Sequence, residues 1–356
     1  MLEYFVEHHQ WIGTVYIWIY YKNTGLQVGK IGQNGRSLEL IGTEEENNQF
    51  VIELPCAVEP TRAKLNYKGD LYNLRLTAVK NEQRFDRSSN HIMEEVVSKW
   101  MRKDLVKGPF TFYCSCCNDQ LICSKDYTKV RDMPSEFWAE FMDYWHCHKP
   151  HSDTNSTLSN GFDNKFTRSV VPTVGEICLS DSFIYIHKDS LNSKIVYDYN
   201  NVFCNSCKQV LGSVNRDGSI GFKKWCLKAE INKEIETIDI SNYVLNQIFN
   251  ELKAHSTRLF HIRDNSIAME VQVWVFGFGS TISFNNSHLL TNCMKILYQR
   301  GGPPNGPQNS QNIELIEVDE PNALSAFISR LDDVNSNLPH DLQRMNEWKV
   351  GYISCD

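Results

Sequence analysis

Tyr113-Cys114-Ser115-Cys116-Cys117-Asn118 and Phe203-Cys204-Asn205-Ser206-Cys207-Lys208 decide how the middle of this chain must fold. Each holds a Cys-x2-Cys pair, in which two intervening residues let a tight turn aim both thiolates at one ion. Two such turns supply the four ligands of a closed tetrahedral site. Zn2+ is the expected ion, because it prefers tetrahedral thiolate sets and needs no redox chemistry. Cys114, Cys117, Cys204 and Cys207 are therefore the expected metal ligands. The inner members of the two pairs stand 87 positions apart, so the pairs must meet in the fold and clamp distant strands together. Within the first turn, Cys114 with Cys116 is a second geometrically possible pair. Buried free cysteines are the alternative reading of any such residue. A saturated four-thiolate site leaves no position for water, so it predicts stability rather than catalysis.

The rest of the chain sets the context for those turns. At 356 residues and 41.2 kDa it has the length of two or three domains at ~150 residues each. With 41% hydrophobic and 22% charged residues it has the composition of a globular protein with ample core. The formal charge is −7 and the pI near 5.9. No domain-wide basic field collects phosphates, so direct nucleic-acid binding is not expected. No apolar run approaches the ~20 residues of a membrane-spanning helix, so no membrane contact is expected. Residues 1–9 carry two glutamates and two histidines, and residues 11–21 alternate. They lack the basic start and small-residue cleavage site of a signal peptide. Residence in nucleus and cytoplasm is expected, with thiols mostly reduced. Cysteine clusters there are read as metal sites before disulfides.

The fold class read from the pattern is α+β, in three regions. Residues 1–107 form a β-rich N-terminal module. Residues 14–21 alternate at period two, and 37–41, 50–54 and 71–79 are short strand candidates. Residues 92–103 read as a helix, with Met93, Val96, Val97 and Trp100 at helical spacing. Residues 108–230 form the zinc-binding domain, with nine of the twelve cysteines between 108 and 228. A strand over 108–114 enters the first turn, and 176–187 and 221–230 are strand candidates flanking the second. Pro134 and Ser135 open a helix with Trp138, Phe141, Met142 and Trp145 on one face, and residues 149–169 are a polar, exposed loop. Residues 231–356 form a C-terminal α/β region. Ser241 caps a helix with Leu245, Ile248, Phe249 and Leu252 on its apolar face. Strands are expected over 269–276 and 313–318, a helix continuation or short strand over 294–298, a flexible turn over 301–311 and a helix over 322–334.

His146, Cys147, His148 and His151 form a second cluster. It reads as a second metal site, as a nucleophilic Cys147 assisted by a neighbouring histidine, or as a helix end whose histidines sit where positive charge is favoured. Cys147 and His148 are also rival ligands to Cys204 and Cys207 around the first turn. No P-loop, nucleophile elbow or HExxH occurs, and Gly277-Phe278-Gly279 lacks the third glycine of a dinucleotide fingerprint.

Several ordered motifs carry a family likeness. Trp138-Ala-Glu-Phe-Met-Asp-Tyr-Trp-His-Cys-His148 resembles a Trp-x4-Asp-x-Trp-x-Cys-His signature. Cys204-Asn-Ser-Cys207-Lys-Gln-Val-Leu211-Gly212 resembles a Cys-x2-Cys-x3-Leu-Gly element. Val273-Trp-Val-Phe276, Lys295-Ile-Leu-Tyr298 and Leu338-Pro339 through Trp348-Lys-Val-Gly351 follow in the same order. The chain thus resembles the HECT-like ubiquitin-conjugating-enzyme-binding family, the E3D type of ubiquitin ligase. The resemblance implies a ubiquitin-conjugating enzyme as partner and a β-tent-like zinc domain held by four cysteines. It also implies, through a fungal branch, a role in messenger-RNA 3′-end processing. There the partner is the endonuclease subunit of the cleavage and polyadenylation factor. A true HECT ligase carries a recognisable C-terminal thioester cysteine. Here Cys293 and Cys355 sit in no such motif, which leaves Cys147 as the candidate nucleophile.

Overall fold

The computed structural model describes residues 2–22, 25–42, 48–60, 64–79, 98–133, 171–255, 257–285, 288–302 and 313–355. The helix expected from Pro134, the loop 149–169 and the cluster His146, Cys147, His148 and His151 lie outside the described residues. No helix among the described residues is long and apolar enough to cross a membrane.

The chain opens with β1 (Leu2–His9) and β2 (Thr14–Tyr21), paired antiparallel along their whole length. On β2, Val15, Ile17, Ile19 and Tyr21 are buried while Tyr16, Trp18 and Tyr20 are half-buried, the period-two signature of a strand with one covered face. Next come β3 (Leu26–Ile31), β4 (Ser37–Gly42) and β5 (Gln49–Glu53), an antiparallel three-stranded sheet in that order. Then β6 (Asn66–Lys68) and β7 (Leu71–Thr77) follow, and β7 pairs with β2. Leu38, Leu40 and Ile52 from the small sheet join Val6, Val15, Ile17 and Leu74 in one core.

A second compact unit spans Ser98–Asn250. It begins with the short α1 (Arg102–Leu105) and two strands, β8 (Phe110–Cys114) and β9 (Gln120–Cys123), then β10 (Lys129–Asp132), β11 (Glu176–Leu179) and β12 (Phe183–His187). It continues through β13 (Ile195–Tyr197), β14 (Asn201–Cys204), β15 (Val210–Val214), β16 (Ser219–Lys223), β17 (Leu227–Ile231) and β18 (Glu234–Thr237). These strands make two sheets. One has the order β10-β11-β12-β16-β15-β14-β13 and the other β18-β17-β8-β9. Phe112, Leu121 and Leu227 of one sheet and Ile184, Leu211 and Phe222 of the other share a single buried cluster.

Residues 92–97 of the helix expected over 92–103 lie outside the described residues, and from Ser98 to Met101 the chain is not helical; Trp100 shows why. That residue has a φ of +59°, is 1% exposed, and donates its indole N–H to Glu236. The fully buried Lys224 ammonium binds the Lys99 carbonyl at 2.6 Å, so the carbonyl is turned to a side chain rather than to a helix. Burial lowers the Lys224 pKa to about 7.

The unit boundary falls within α2 (Ser241–His255). Beyond it lie β19 (Leu259–Asp264), β20 (Met269–Phe284), β21 (His288–Arg300), β22 (Glu314–Glu317), α3 (Ala323–Asn337), β23 (Arg344–Met345) and β24 (Trp348–Ser354). The 294–298 stretch lies inside the long strand β21. The path of the large sheet is β23-β24-β21-β20-β1-β2-β7-β6, with β19 pairing β20 and β22. The described residues of Met1–Val97 and Glu251–Asp356 therefore make one compact unit. The N-terminal and C-terminal stretches, set apart in the sequence, meet through β1 against β20, from Phe5 opposite Phe284 to His9 opposite Ser280. Three of the family-like motifs stand side by side, with Trp274 opposite Leu297 and Leu297 opposite Val350. The α3 face expected from Leu324, Phe327, Ile328 and Leu331 is buried. Asp332 anchors α3 by accepting from Tyr298 and Lys349, both at 2.7 Å.

Glu7 sits at the join of the two halves, 1% exposed. It accepts from Lys295 at 3.0 Å and from Ser280 at 3.3 Å. Here the β20–β21 ladder is irregular between Val275 and Ile282, and such bulges re-aim side chains. Burial works to raise the Glu7 pKa, but the hydrogen bond from His9 and the Lys295 charge outweigh it and hold it at about 2. A folded pKa below the ordinary 4.5 contributes stability above that value and loses it as pH falls from about 4.5 to about 2. The contribution is on the order of 3 kcal/mol. Glu7→Gln should therefore be less stable near neutrality and show a flatter loss of stability across that window. Denaturant midpoints measured down the acid limb check this, and parallel curves for the two proteins would refute it.

Candidate metal centre

The two Cys-x2-Cys turns are built alike. In the first, the Cys114 N–H donates to the Asp119 carbonyl at 2.8 Å and the Asn118 N–H returns to the Cys114 carbonyl at 3.0 Å. In the second, the Cys204 N–H meets the Gln209 carbonyl at 2.9 Å and the Lys208 N–H meets the Cys204 carbonyl at 2.9 Å. Asn118 and Lys208, each just after the second cysteine, have φ of +60° and +62°. This left-handed residue reverses the chain so that the next strand pairs back. Both hairpins also slip register beside the turn, between Phe112 and Tyr113 and between Val202 and Phe203.

These hairpins belong to different sheets, β8–β9 and β14–β15, and their four sulfurs converge. The Sγ atoms of Cys114, Cys117, Cys204 and Cys207 all lie within 4.8 Å of one another. Cys114 to Cys207 and Cys117 to Cys204 are each 3.6 Å. A disulfide would need about 2.05 Å. A tetrahedral ion with sulfur ligands at about 2.3 Å would space them about 3.8 Å apart. The donor set thus fits a metal ion. Its charge argues the same way. Burial pushes the Cys114 thiol up to about 12, although the N–H groups of Cys117 and Cys116 oppose this. Burial also acts on Cys204, but N–H groups of Cys207 and Ser206 outweigh it and bring that thiol below its ordinary value. Four thiolates can share this space only around a cation. Cys116 is exposed and is not one of the gathered four.

A polar clasp closes the same junction. Asp119, in the first turn, accepts from Ser206 in the second and from Lys194 at 2.7 Å. Lys194 donates across a sequence gap of 75 positions. Lys228 reaches Asn118 at 2.6 Å. Gln209 lies between the hairpins, with Oε1 3.5 Å from Cys114 Sγ and Nε2 3.4 Å from Ser115. Sequence reading did not single out Asp119, Lys194, Ser206 or Gln209. Asp119, Ser206 and Gln209 were signalled only by position beside or within the turns, and Lys194, ten residues before Cys204, by nothing local. The Leu211-Gly212 element has a steric reason as well. A Cβ on Gly212 would stand 1.9 Å from the Gly221 carbonyl oxygen, so only glycine lets β15 and β16 approach.

The remaining cysteines considered for chemistry offer less. Cys293 is fully buried and Cys355 is 8% exposed. Cys147 and its histidine neighbours lie outside the described residues, and with them the rival ligand pair Cys147 and His148.

Comparison with known proteins gives the chain its family. A family model described as HECT-like ubiquitin-conjugating enzyme (E2)-binding matches residues 7–350. The chain belongs to this family. Among its relatives, an uncharacterized protein of Saccharomyces cerevisiae is 26% identical over 322 residues, covering 89% of this chain and 90% of the relative. One from Schizosaccharomyces pombe is 28% identical, covering 73% and 78%. The human E3 ubiquitin-protein ligase E3D is 23% identical, covering 73% and 76%. No solved structure matches. For this HECT-like E2-binding protein, the four cysteines are the described residues best suited to hold an ion.

Two outcomes follow. Cys114→Ser and Cys204→Ser should each lose most bound metal, whereas Cys116→Ser keeps about one ion per chain; elemental analysis of purified protein decides it. Gly212→Ala should destabilise by about 3 kcal/mol or more, because the clash is with backbone. An unchanged unfolding midpoint would contradict the close approach of β15 and β16.

Proposed function

We propose that this chain binds a ubiquitin-conjugating enzyme and serves ubiquitin transfer as a non-covalent platform. In this reading a zinc ion on Cys114, Cys117, Cys204 and Cys207 stiffens the unit Ser98–Asn250. The observation that carries the reading is the E2-binding family match across nearly the whole chain. The similarity to a human protein named as an E3 ubiquitin-protein ligase supports it.

The chemistry of the site supports a platform over a catalyst. Bound zinc would supply charge neutralisation and a rigid tetrahedral junction, with all four positions taken by sulfur. The hairpins bring the thiolates, Asp119 ties the turns together, and the paired sheets keep water from Cys114 and Cys204. The buried Cys293 and Cys355 are poorly placed to receive a bulky thioester partner. Of the three cysteines weighed as nucleophiles, Cys147, Cys293 and Cys355, the covalent reading keeps Cys147.

The finer reading is action in messenger-RNA 3′-end cleavage and polyadenylation, in nucleus and cytoplasm, through the endonuclease subunit of the cleavage and polyadenylation factor. The resemblance of the ordered motifs to the fungal branch of the family motivates it, and the net charge of −7 suits docking on a basic partner. Affinity capture of the tagged chain from nuclear extract should recover that endonuclease, and its consistent absence would remove this role.

Purified chain incubated with a ubiquitin-charged conjugating enzyme should form a complex with it and carry no reducible ubiquitin adduct. An adduct lost in Cys147→Ala would shift the assignment to covalent transfer. Failure to bind any conjugating enzyme would remove both.

A further inference from the structure

The geometry points to a second interaction site in the first unit, where β5 accepts an extended, basic segment of a partner protein as an added strand. The Gly42 N–H donates to the Asn48 carbonyl and the Leu54 N–H to the Arg36 carbonyl. These two bonds bracket the β4–β5 ladder, so the hydrogen-bonded pairs are Leu38 with Ile52 and Leu40 with Phe50. The N–H and C=O groups of Gln49, Val51 and Glu53 then point away from β4, toward the free edge of the three-stranded sheet. Among the described residues no backbone group meets them.

Unpaired edges of this kind are usually blunted by lysine, proline or a bulge. The opposite edge of the same sheet is blunted. On β3, Lys30 is exposed and pairs with Glu39, and the ladder slips between Val28 and Ile31. On β5, Gln49-Phe50-Val51-Ile52-Glu53 holds no lysine or proline and pairs with β4 without a slip. Val51 is 51% exposed.

That edge borders a groove of about 510 Å3, lined by residues 2–4 of β1, 49–51 of β5 and Asn285. Asn285 accepts from the Tyr4 N–H at 3.0 Å where β20 ends, so a side chain already takes the Tyr4 donor on the facing wall, whereas three successive outward residues of β5 are left for a strand. An incoming strand gains ladder bonds to the three outward residues, with alternate side chains against Phe50 and Val51. Charge selects the occupant. The wall and edge carry exposed Glu3 and Glu53 and no lysine or arginine. Lysine or arginine on the added strand complements this set.

Fluorescence anisotropy on the full chain tests it with three labelled heptapeptides: alternating lysine and valine, alternating glutamate and valine, and the lysine form interrupted by proline. The lysine–valine peptide should bind saturably, with the other two at least about ten-fold weaker. Val51→Pro removes an outward N–H that β4 does not use, and should weaken that peptide about ten-fold or more. Glu3→Lys combined with Glu53→Lys provides the same readout with the backbone intact. Absent binding, equal affinities for the three peptides, or full retention by both variants would overturn the site. So would concentration-dependent self-association that protects the β5 amides without peptide, since a second copy would then be the occupant.

Discussion

Four cysteine sulfurs within 4.8 Å of one another are the constraint on which the middle of this protein turns. Neutral thiols would tolerate that crowding without drawing two sheets together. Thiolates repel, and burial penalises each of them, so a cation makes the arrangement favourable. The hairpins are shaped for this. Each reverses through a left-handed residue after its second cysteine, and each slips register just before the turn. The polar clasp through Asp119, Ser206 and Lys194 holds the turns in place. The shared core of Phe112, Leu121, Leu211 and Phe222 supplies most of the burial. An ion held at this junction would complete a domain that has a core of its own, unlike a small finger whose folding depends on metal alone.

The first unit solves a different problem. Its large sheet is assembled from both ends of the chain, and the seam between them carries a charge in an apolar setting. Glu7 is tolerated because Lys295, Ser280 and His9 satisfy it. The ladder irregularities nearby loosen the regular pairing of β20 with β21. The lysine extends over the rings of Tyr352 and Phe276 at 5.2 and 6.0 Å, which adds cation–π attraction to the ion pair. One network thus joins β1, β20, β21 and β24.

Family membership and local chemistry bear on function at different levels. The E2-binding family match covers both units, whereas the metal centre belongs to one of them. The gathered sulfurs suit an ion, Cys293 and Cys355 are buried, and Cys116 is exposed. Among the surfaces of the described residues, the open edge of β5 combines backbone groups that β4 does not use with one sign of charge.

The sequence by itself determined the α+β class, the four cysteines, the apolar faces around Leu245 and Leu324, and the alternation of β2. Each of these is written locally, in a two-residue thiolate spacing or a period of 2 or 3.6. It misled at Trp100, where helical spacing was overridden by a buried indole and the Lys224 ammonium. It left 294–298 open, because a short apolar run fits either period. Only the tertiary structure decided that the two ends of the chain share a sheet, that Cys116 stands apart from the gathered sulfurs, and that Asp119 and Gln209 bridge the hairpins. The physical reason is range. Pairing between Glu7 and Ser280 or between Asp119 and Lys194 depends on where remote segments come to rest, and no local pattern encodes that placement.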